Sequence, residues 1–123
     1  MQSFSKIGKV ISAKEDDIDA ITGVSGSGPA FYYYIIDQIA KAGEKLGLDY
    51  KTALTLSAQT ALGAARMVLE TGVEPQQLIA NVTTPGGTTA EGNKVLQESN
   101  IAEILFETVD KTAQKSELMG KQL

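Results

Sequence analysis

The sequence contains no cysteine and no histidine. Without cysteine the chain has no disulfide, no thiolate metal site and no thiol redox centre. Without histidine it has no imidazole base, so its serines lack the usual partner of a catalytic nucleophile. A metal would have only carboxylates as charged ligands, and no group of aspartates and glutamates has convincing ligand spacing. We therefore predict no metal site, and the lack of cysteine is compatible with our expectation of a cytoplasmic location.

Excess positive charge and long apolar runs are also lacking. Eleven Lys and Arg stand against 15 Asp and Glu, a net charge of −4, whereas a nucleic-acid partner requires a clustered basic face. No run approaches the roughly 20 apolar residues of a membrane span, and the first residues do not resemble a secretory signal. With 42% hydrophobic and 21% charged residues, the 123-residue chain is typical of a single globular domain. We expect neither nucleic acid nor membrane as a partner.

The segment 82–90 combines a proline and two glycines with four threonines. The proline restricts one φ angle, and the glycines let the chain turn without Cβ clashes. Because helical sequence follows, several N–H groups should lack intrahelical acceptors at the positive end of a helix dipole, an arrangement that suits a carboxylate or a phosphate. These N–H groups belong to Gly86, Gly87, Thr88 and Thr89. The alternative is an ordinary capped turn, in which the hydroxyls only satisfy the helix start.

A second segment, from Ser25 to Phe31, begins with alternating serine and glycine up to Gly28. The segment is not a dinucleotide fingerprint, because Phe31 stands where the third glycine belongs. It is not a nucleophile elbow either, because the G-x-S-x-G pattern lacks its final glycine. Taken alone, it predicts a helix start with Pro29 at the first position and Ser27 or Gly28 as the cap.

The first long helix is predicted from about Pro29 to Leu46. Ile35, Ile39, Ala42 and Leu46 follow helical spacing and form one apolar face. Three residues widen that face, and Asp37 is among the polar residues available to solvent. The widening residues are Ile36, Ala40 and Gly43. Gly47 is expected to end the helix in a left-handed conformation.

The second long helix is predicted from about Tyr50 to Glu70, with Asp49 as its cap and Gly72 after its end. Small and apolar residues almost encircle it, so it must be buried on most sides. Either a partner subunit or neighbouring helices of the same chain would cover it.

Shorter patterns complete a prediction of an all-α chain with a short non-helical lead. The lead includes a possible strand from Lys9 to Ser12. A short helix from Asp16 or Asp17 to Ile21 should end at Gly23, another should begin at Pro75, and a polar helix should reach Glu98. Asn100 and Glu103 resemble a capping box for the last helix.

Together the motifs resemble the C-terminal domain of pyrroline-5-carboxylate reductase, over about residues 5 to 118. The matching segments, in that family's order and spacing, are Ser25 to Phe31, Gly47-Leu48, Ala58 to Glu70 and Thr83 to Thr89. The resemblance implies a helical bundle that dimerises and binds substrate over residues 16–123. Residues 1–15 would then be a remnant of the linker or last strand of a nucleotide-binding domain, and the chain a fragment.

The resemblance also implies a reaction, the last step of proline biosynthesis, in which 1-pyrroline-5-carboxylate is reduced to L-proline with NADPH or NADH. The substrate carboxylate would bind at Thr84, Gly86, Gly87 and Thr88, and the Thr89 hydroxyl would accept the ring N–H as the catalytic contact. Ser25, Gly26, Ser27, Gly28 and Pro29 would support the pocket wall. Since the cofactor would bind mainly to the absent domain, the chain is expected to be inactive alone and to form a homodimer or larger homo-oligomer.

Two alternatives remain open at this point. The chain could be a non-catalytic helical dimerisation module whose glycine turn is purely structural. It could also belong to a related imine or β-hydroxyacid dehydrogenase, but those families usually place a catalytic lysine on a comparable helix. The second long helix lacks that lysine, and Lys94 lies on a polar helix, where a solvated position is expected.

Overall fold

The computed structural model describes residues 17–121, which form helices and connecting turns with no strand among them. The helices are α1 (Ile18–Ile21), α2 (Gly28–Lys45), α3 (Tyr50–Thr71), α4 (Pro75–Asn81), α5 (Thr88–Glu98) and α6 (Ile101–Lys121), and a π-helical segment (Thr22–Gly26) lies between α1 and α2. The all-α prediction is confirmed over this range. The possible strand at 9–12 and the boundary between residues 15 and 16 lie outside it.

The described chain divides into two compact units. Residues 17–29 and 103–121 form the first unit, and residues 30–102 form the second. The second unit contains most of α2 together with α3, α4 and α5.

The helix ends follow the local signals in the sequence. Helix α2 ends before Gly47, whose φ of 107° is left-handed. The Asp49 carboxylate caps α3 by accepting the Thr52 N–H at 3.2 Å. Gly72, with a φ of 68°, ends α3, and Pro75 begins α4. These four predictions are confirmed, because each rests on a conformation that only a few residue types favour.

The first unit depends on a close approach at Gly23. This glycine does not end the helix as predicted; it is buried inside the π-helical segment. A Cβ atom there would lie 2.8 Å from the carbonyl oxygen of Val109 in α6. The prediction was wrong because Gly23 supplies space for another helix and does not act as a helix terminator. In the same unit, the Ser116 hydroxyl donates to the Asp19 carboxylate at 2.7 Å.

The second unit is built on close packing between α2 and α3. Ala40 and Ala53 are its buried apolar residues, and a Cβ atom at Gly43 would lie 3.2 Å from the Ala53 Cβ. The Ser57 hydroxyl donates to the Ile36 carbonyl across the same contact at 2.9 Å. The small residues therefore bring the two backbones together.

The predicted apolar face of α2 is only partly covered within the described chain. Ile39 and Leu46 are 57% and 88% exposed, and Ala42 is also exposed. The residues expected only to widen the face, among them Ala40 and Gly43, make the contact with α3 instead, since small side chains allow the closer approach.

Much of α3 is uncovered within the described chain. Only Ala53 and Ser57 are buried, whereas Leu62 and Leu69 are 60% and 66% exposed. An open, mainly apolar groove of about 340 Å³ lies between α2 and α3. Thus the alternative that neighbouring helices of the described chain cover α3 is wrong. None of the helices in this range is both long and apolar enough to cross a membrane.

The connection between α5 and α6 uses serine in place of the expected capping box. The Ser99 hydroxyl accepts the Ile101 N–H at 3.2 Å and donates to the Leu96 carbonyl at 2.7 Å. The predicted Asn100–Glu103 capping box is wrong, because neither side chain forms a hydrogen bond among the described residues. The first N–H of α6 is paired with Ser99.

Candidate functional site

The segment between α4 and α5 forms a tight turn. The Gly87 N–H donates to the Thr84 carbonyl at 2.8 Å, which closes a four-residue turn. Pro85 occupies its second position and Gly86, with a φ of 75°, its third. Proline followed by a glycine with positive φ is the pattern of a type II turn, so the residue types and the backbone agree. We call residues 84–87 the anion turn.

Helix α5 begins directly after the anion turn. Gly87 is its N-cap, and no side chain caps the helix. The N–H groups of Thr88, Thr89 and Ala90 have no acceptor among the described residues. Three unpaired donors at the positive end of a helix dipole form a favourable environment for a small anion. The Gly87 N–H, predicted to be free, is instead used to close the turn.

Space around Gly87 is restricted. A Cβ atom at this position would lie 3.0 Å from the Thr84 carbonyl oxygen and 3.4 Å from the Thr84 Cβ. A side chain there would push against the oxygen that closes the turn. Gly87 thus has a steric role, whereas Gly86 has a conformational one.

The four threonine hydroxyls of this segment are not equivalent. The Thr83 hydroxyl donates to the Ile79 carbonyl at 2.5 Å, so its proton is directed back to α4. Thr84, Thr88 and Thr89 are exposed, and their hydroxyls make no hydrogen bond to any described residue. These three remain available to a ligand. The distinction was missed from the sequence, although a threonine four residues after a helical carbonyl is a known pattern for such a bond.

Local charge at the turn comes from the backbone. Residues 82–90 include no charged side chain, and the first one beyond them is Glu91. An anion would therefore be held by amide dipoles and hydroxyls, since the segment offers no ammonium or guanidinium group.

The Ser25–Pro29 segment lies in the first unit, whereas the anion turn lies in the second. Ser25 and Gly26 end the π-helical segment, and the Ser27 N–H donates to the Thr22 carbonyl at 2.9 Å. Gly28 begins α2 and Pro29 follows it. A π-helical turn is often found at functional positions, but the supporting role of this segment stays a prediction.

The second unit contains one polar cluster that the sequence did not reveal. The Tyr50 hydroxyl donates to the Asp37 carboxylate at 2.5 Å, and the Lys41 ammonium lies 3.1 Å from the other carboxylate oxygen. The hydrogen bond from Tyr50, followed by the contact with Lys41, lowers the pKa of Asp37. The same hydrogen bond raises the pKa of Tyr50. Asp37 was predicted only to face solvent; it links α2 to the start of α3.

Comparison with known proteins gives a consistent match. The family model described as "Pyrroline-5-carboxylate reductase dimerisation" matches residues 15–119. The chain is 43% identical to the pyrroline-5-carboxylate reductase of Methanosarcina acetivorans, over 99% of this chain and 45% of that protein. It is 39% identical to pyrroline-5-carboxylate reductase 1 of Bacillus subtilis, over 95% of this chain and 39% of that protein.

Solved structures match in fold as well. The pyrroline carboxylate reductase of Plasmodium falciparum, with NADP bound, superposes with a TM-score of 0.83 and 36% identity, covering 88% of this chain and 41% of that one. The reductase of Coxiella burnetii superposes with a TM-score of 0.82 and 42% identity, covering 85% of this chain and 39% of that one. The chain thus spans about two fifths of the length of the proteins that it matches.

Proposed function

Because the chain belongs to the pyrroline-5-carboxylate reductase dimerisation family, we propose that it is the dimerisation and substrate-binding part of such a reductase. The proposed reaction is the reduction of 1-pyrroline-5-carboxylate to L-proline. The family match over residues 15–119 carries this proposal, and the unpaired amides at the anion turn are the feature that supports a carboxylate substrate.

The substrate carboxylate binds at the start of α5 in this proposal. The free N–H groups of Thr88 and Thr89 donate to its oxygens, with the Thr84 hydroxyl as a further donor. Gly86 and Gly87 shape the turn so that the carboxylate can approach the backbone. Charge-assisted hydrogen bonds of this kind are stronger than neutral ones, which compensates for the lack of a basic side chain.

Thr89 is the proposed catalytic contact. Its exposed hydroxyl accepts the ring N–H of the protonated imine and orients the C=N carbon. Catalysis then depends mainly on orientation and electrostatic complementarity. The ring nitrogen arrives protonated or receives its proton from water, since no side chain in residues 82–90 can act as a strong acid.

A nicotinamide cofactor, NADPH or NADH, completes the proposal for the protein that carries this chain. The NADP in the Plasmodium falciparum structure supports that class of cofactor. The described residues do not fit a dinucleotide site: they include no strand leading into a glycine turn, and Phe31 replaces the third glycine of the only G-x-G candidate. We therefore expect the chain alone to be inactive.

A homodimer, or a larger homo-oligomer, is the proposed assembly. The exposed apolar residues of α3 and the open groove beside it support burial by a second copy. The supporting role of residues 25–29 and the cytoplasmic location remain predictions.

The test is oxidation of NADPH that depends on pyrroline-5-carboxylate, measured with the intact protein that carries this chain and with the chain alone. We expect turnover by the intact protein and none by the chain. If the intact protein is folded and dimeric but shows no turnover with either cofactor, the reductase proposal is wrong and the non-catalytic dimerisation module is the better account.

A further inference from the structure

Thr83 connects the anion turn to the end of α4 through two hydrogen bonds. Its hydroxyl donates to the Ile79 carbonyl at 2.5 Å, and its N–H donates to the Ala80 carbonyl at 3.1 Å. Both acceptors belong to the last turn of α4, where carbonyls have no helical donor. The Ile79 carbonyl also accepts the Val82 N–H at 3.2 Å, so the Thr83 hydroxyl adds a second donor to it. The Thr83 N–H pairs with the Ala80 carbonyl.

Only the anion turn separates Thr83 from α5. That turn is itself closed by the bond from Gly87 to Thr84, and any side chain at Gly87 would press against the same carbonyl oxygen. Hydrogen bonds therefore run in sequence from α4 through Thr83 and the turn to the N-cap of α5. The side chain of Thr83 is half-buried, while its neighbour Thr84 is exposed.

We propose that Thr83 is a positioning residue for the substrate carboxylate, a role that rests on the proposed function. It makes no contact with the carboxylate; it fixes where the turn leaves α4, and so fixes the free amides of Thr88 and Thr89 before substrate binds. Donors that are held in place beforehand lose less conformational freedom on binding than mobile ones.

The test compares variants of the intact protein in steady-state kinetics. Thr83→Val removes the hydroxyl and keeps the branched shape, whereas Thr83→Ser keeps the hydroxyl. Thr55→Val is the matched control, because the Thr55 hydroxyl donates to the Lys51 carbonyl at 3.1 Å in the same i to i−4 pattern, within α3 and outside the anion turn.

We expect Thr83→Val to raise the KM for pyrroline-5-carboxylate about fivefold, the factor that one ordinary hydrogen bond contributes. The KM for the nicotinamide cofactor should stay within about twofold, because only ground-state binding of the carboxylate is weakened. Thr83→Ser should restore the wild-type KM, and Thr55→Val should not change it.

Three results would overturn the role of Thr83 while the reductase function stands. They are an unchanged KM in Thr83→Val, an equal rise in Thr83→Ser, and an equal rise in the KM of the cofactor. If valine prevents folding, Thr83→Ala repeats the measurement without a branched side chain, and a wild-type KM there has the same meaning. Absence of turnover in the wild-type protein overturns the proposed function and this role with it.

Discussion

At the scale of single residues, the anion turn shows that adjacent glycines can be required for different reasons. Gly86 adopts a φ of 75°, which side-chain-bearing residues rarely take. Gly87 has an ordinary φ of −86° and is restricted by the Thr84 carbonyl. A substitution at Gly86 thus strains the backbone, whereas one at Gly87 displaces a neighbouring group.

We predict that Gly86→Ala lowers the free energy of unfolding by about 1–2 kcal/mol, because alanine is strained at positive φ. Gly92→Ala is the control: it lies within α5, and a Cβ atom there meets nothing within 4 Å. Alanine at this helical position should raise the free energy of unfolding by about 0.5–1 kcal/mol. Urea denaturation of both variants measures the difference, and a loss of equal size in the two would contradict the role of φ.

Thr89→Val tests the proposed contact with the substrate ring. We expect kcat/KM for pyrroline-5-carboxylate to fall at least about tenfold, which corresponds to about 1.4 kcal/mol of lost transition-state stabilisation. Thr89→Ser retains the hydroxyl and should keep most of the activity. Full activity in the valine variant would leave the family assignment intact and would mean that another group contacts the ring nitrogen.

At the scale of helices, boundaries were predictable and packing faces were not. Asp49, Gly72 and Pro75 mark helix ends through their own backbone or capping preferences, so the sequence alone is sufficient. The face of α2 that packs on α3 depends on how closely two backbones approach. Hydrophobicity favoured Ile39, but Ala40 makes the contact because it is small.

The candidate site was likewise predictable from the sequence only in part. The turn and the exposed threonines follow from residue types, whereas the direction of the Thr83 hydroxyl depends on where α4 ends. The hydrogen bond from Tyr50 to Asp37 depends on the contact between two helices, so no local sequence pattern could predict it.

The link between Asp37 and Tyr50 predicts a pH-dependent stability. The pKa of Asp37 is lowered by the Tyr50 hydroxyl and by Lys41, so its stabilising contribution is present above the unfolded pKa and is lost as pH falls through the folded value, below about pH 4. The pKa of Tyr50 is raised, so its contribution is lost as pH rises through a folded value above 10.0. Tyr50→Phe should weaken both dependences.

Thermal unfolding of wild type and Tyr50→Phe from acid to alkaline pH measures this effect. The variant should be closest to wild type at both extremes and least stable relative to it near neutral pH. Lys41→Ala is a useful comparison, since it removes only the ion pair with Asp37. A difference between Tyr50→Phe and wild type that is the same at every pH would show that the hydrogen bond contributes nothing through ionisation.

At the scale of the whole molecule, the described chain leaves many large apolar side chains uncovered. Leu62 and Leu69 of α3, Phe106 of α6 and the tyrosines at the start of α2 are all more than half exposed. Apolar surface of this extent is typical of a chain whose fold is completed by a partner.

We predict that the stability of the chain depends on protein concentration, because in the proposed dimer a second copy binds the folded chain and not the unfolded one. Dilution should lower the Tm, and Leu62→Glu should shift sedimentation towards the monomer and remove the concentration dependence. Lys51→Glu also introduces an exposed acid on α3 and should leave the dimer intact. A Tm that is independent of concentration in a protein shown to be monomeric would contradict the proposed assembly.

The hydrogen bond between Asp19 and Ser116 joins residues that lie 97 positions apart in the sequence. The close approach of Gly23 to Val109 also joins residues that are far apart in the sequence. A ribosome that adds about 5–20 residues per second needs roughly 5–20 s to supply Ser116 after Asp19 has been made. During that interval, residues 30–102 can already form their own contacts. The segment that leaves the ribosome before residues 30–102 is therefore completed after them, and its π-helical turn must wait for α6 to be synthesised.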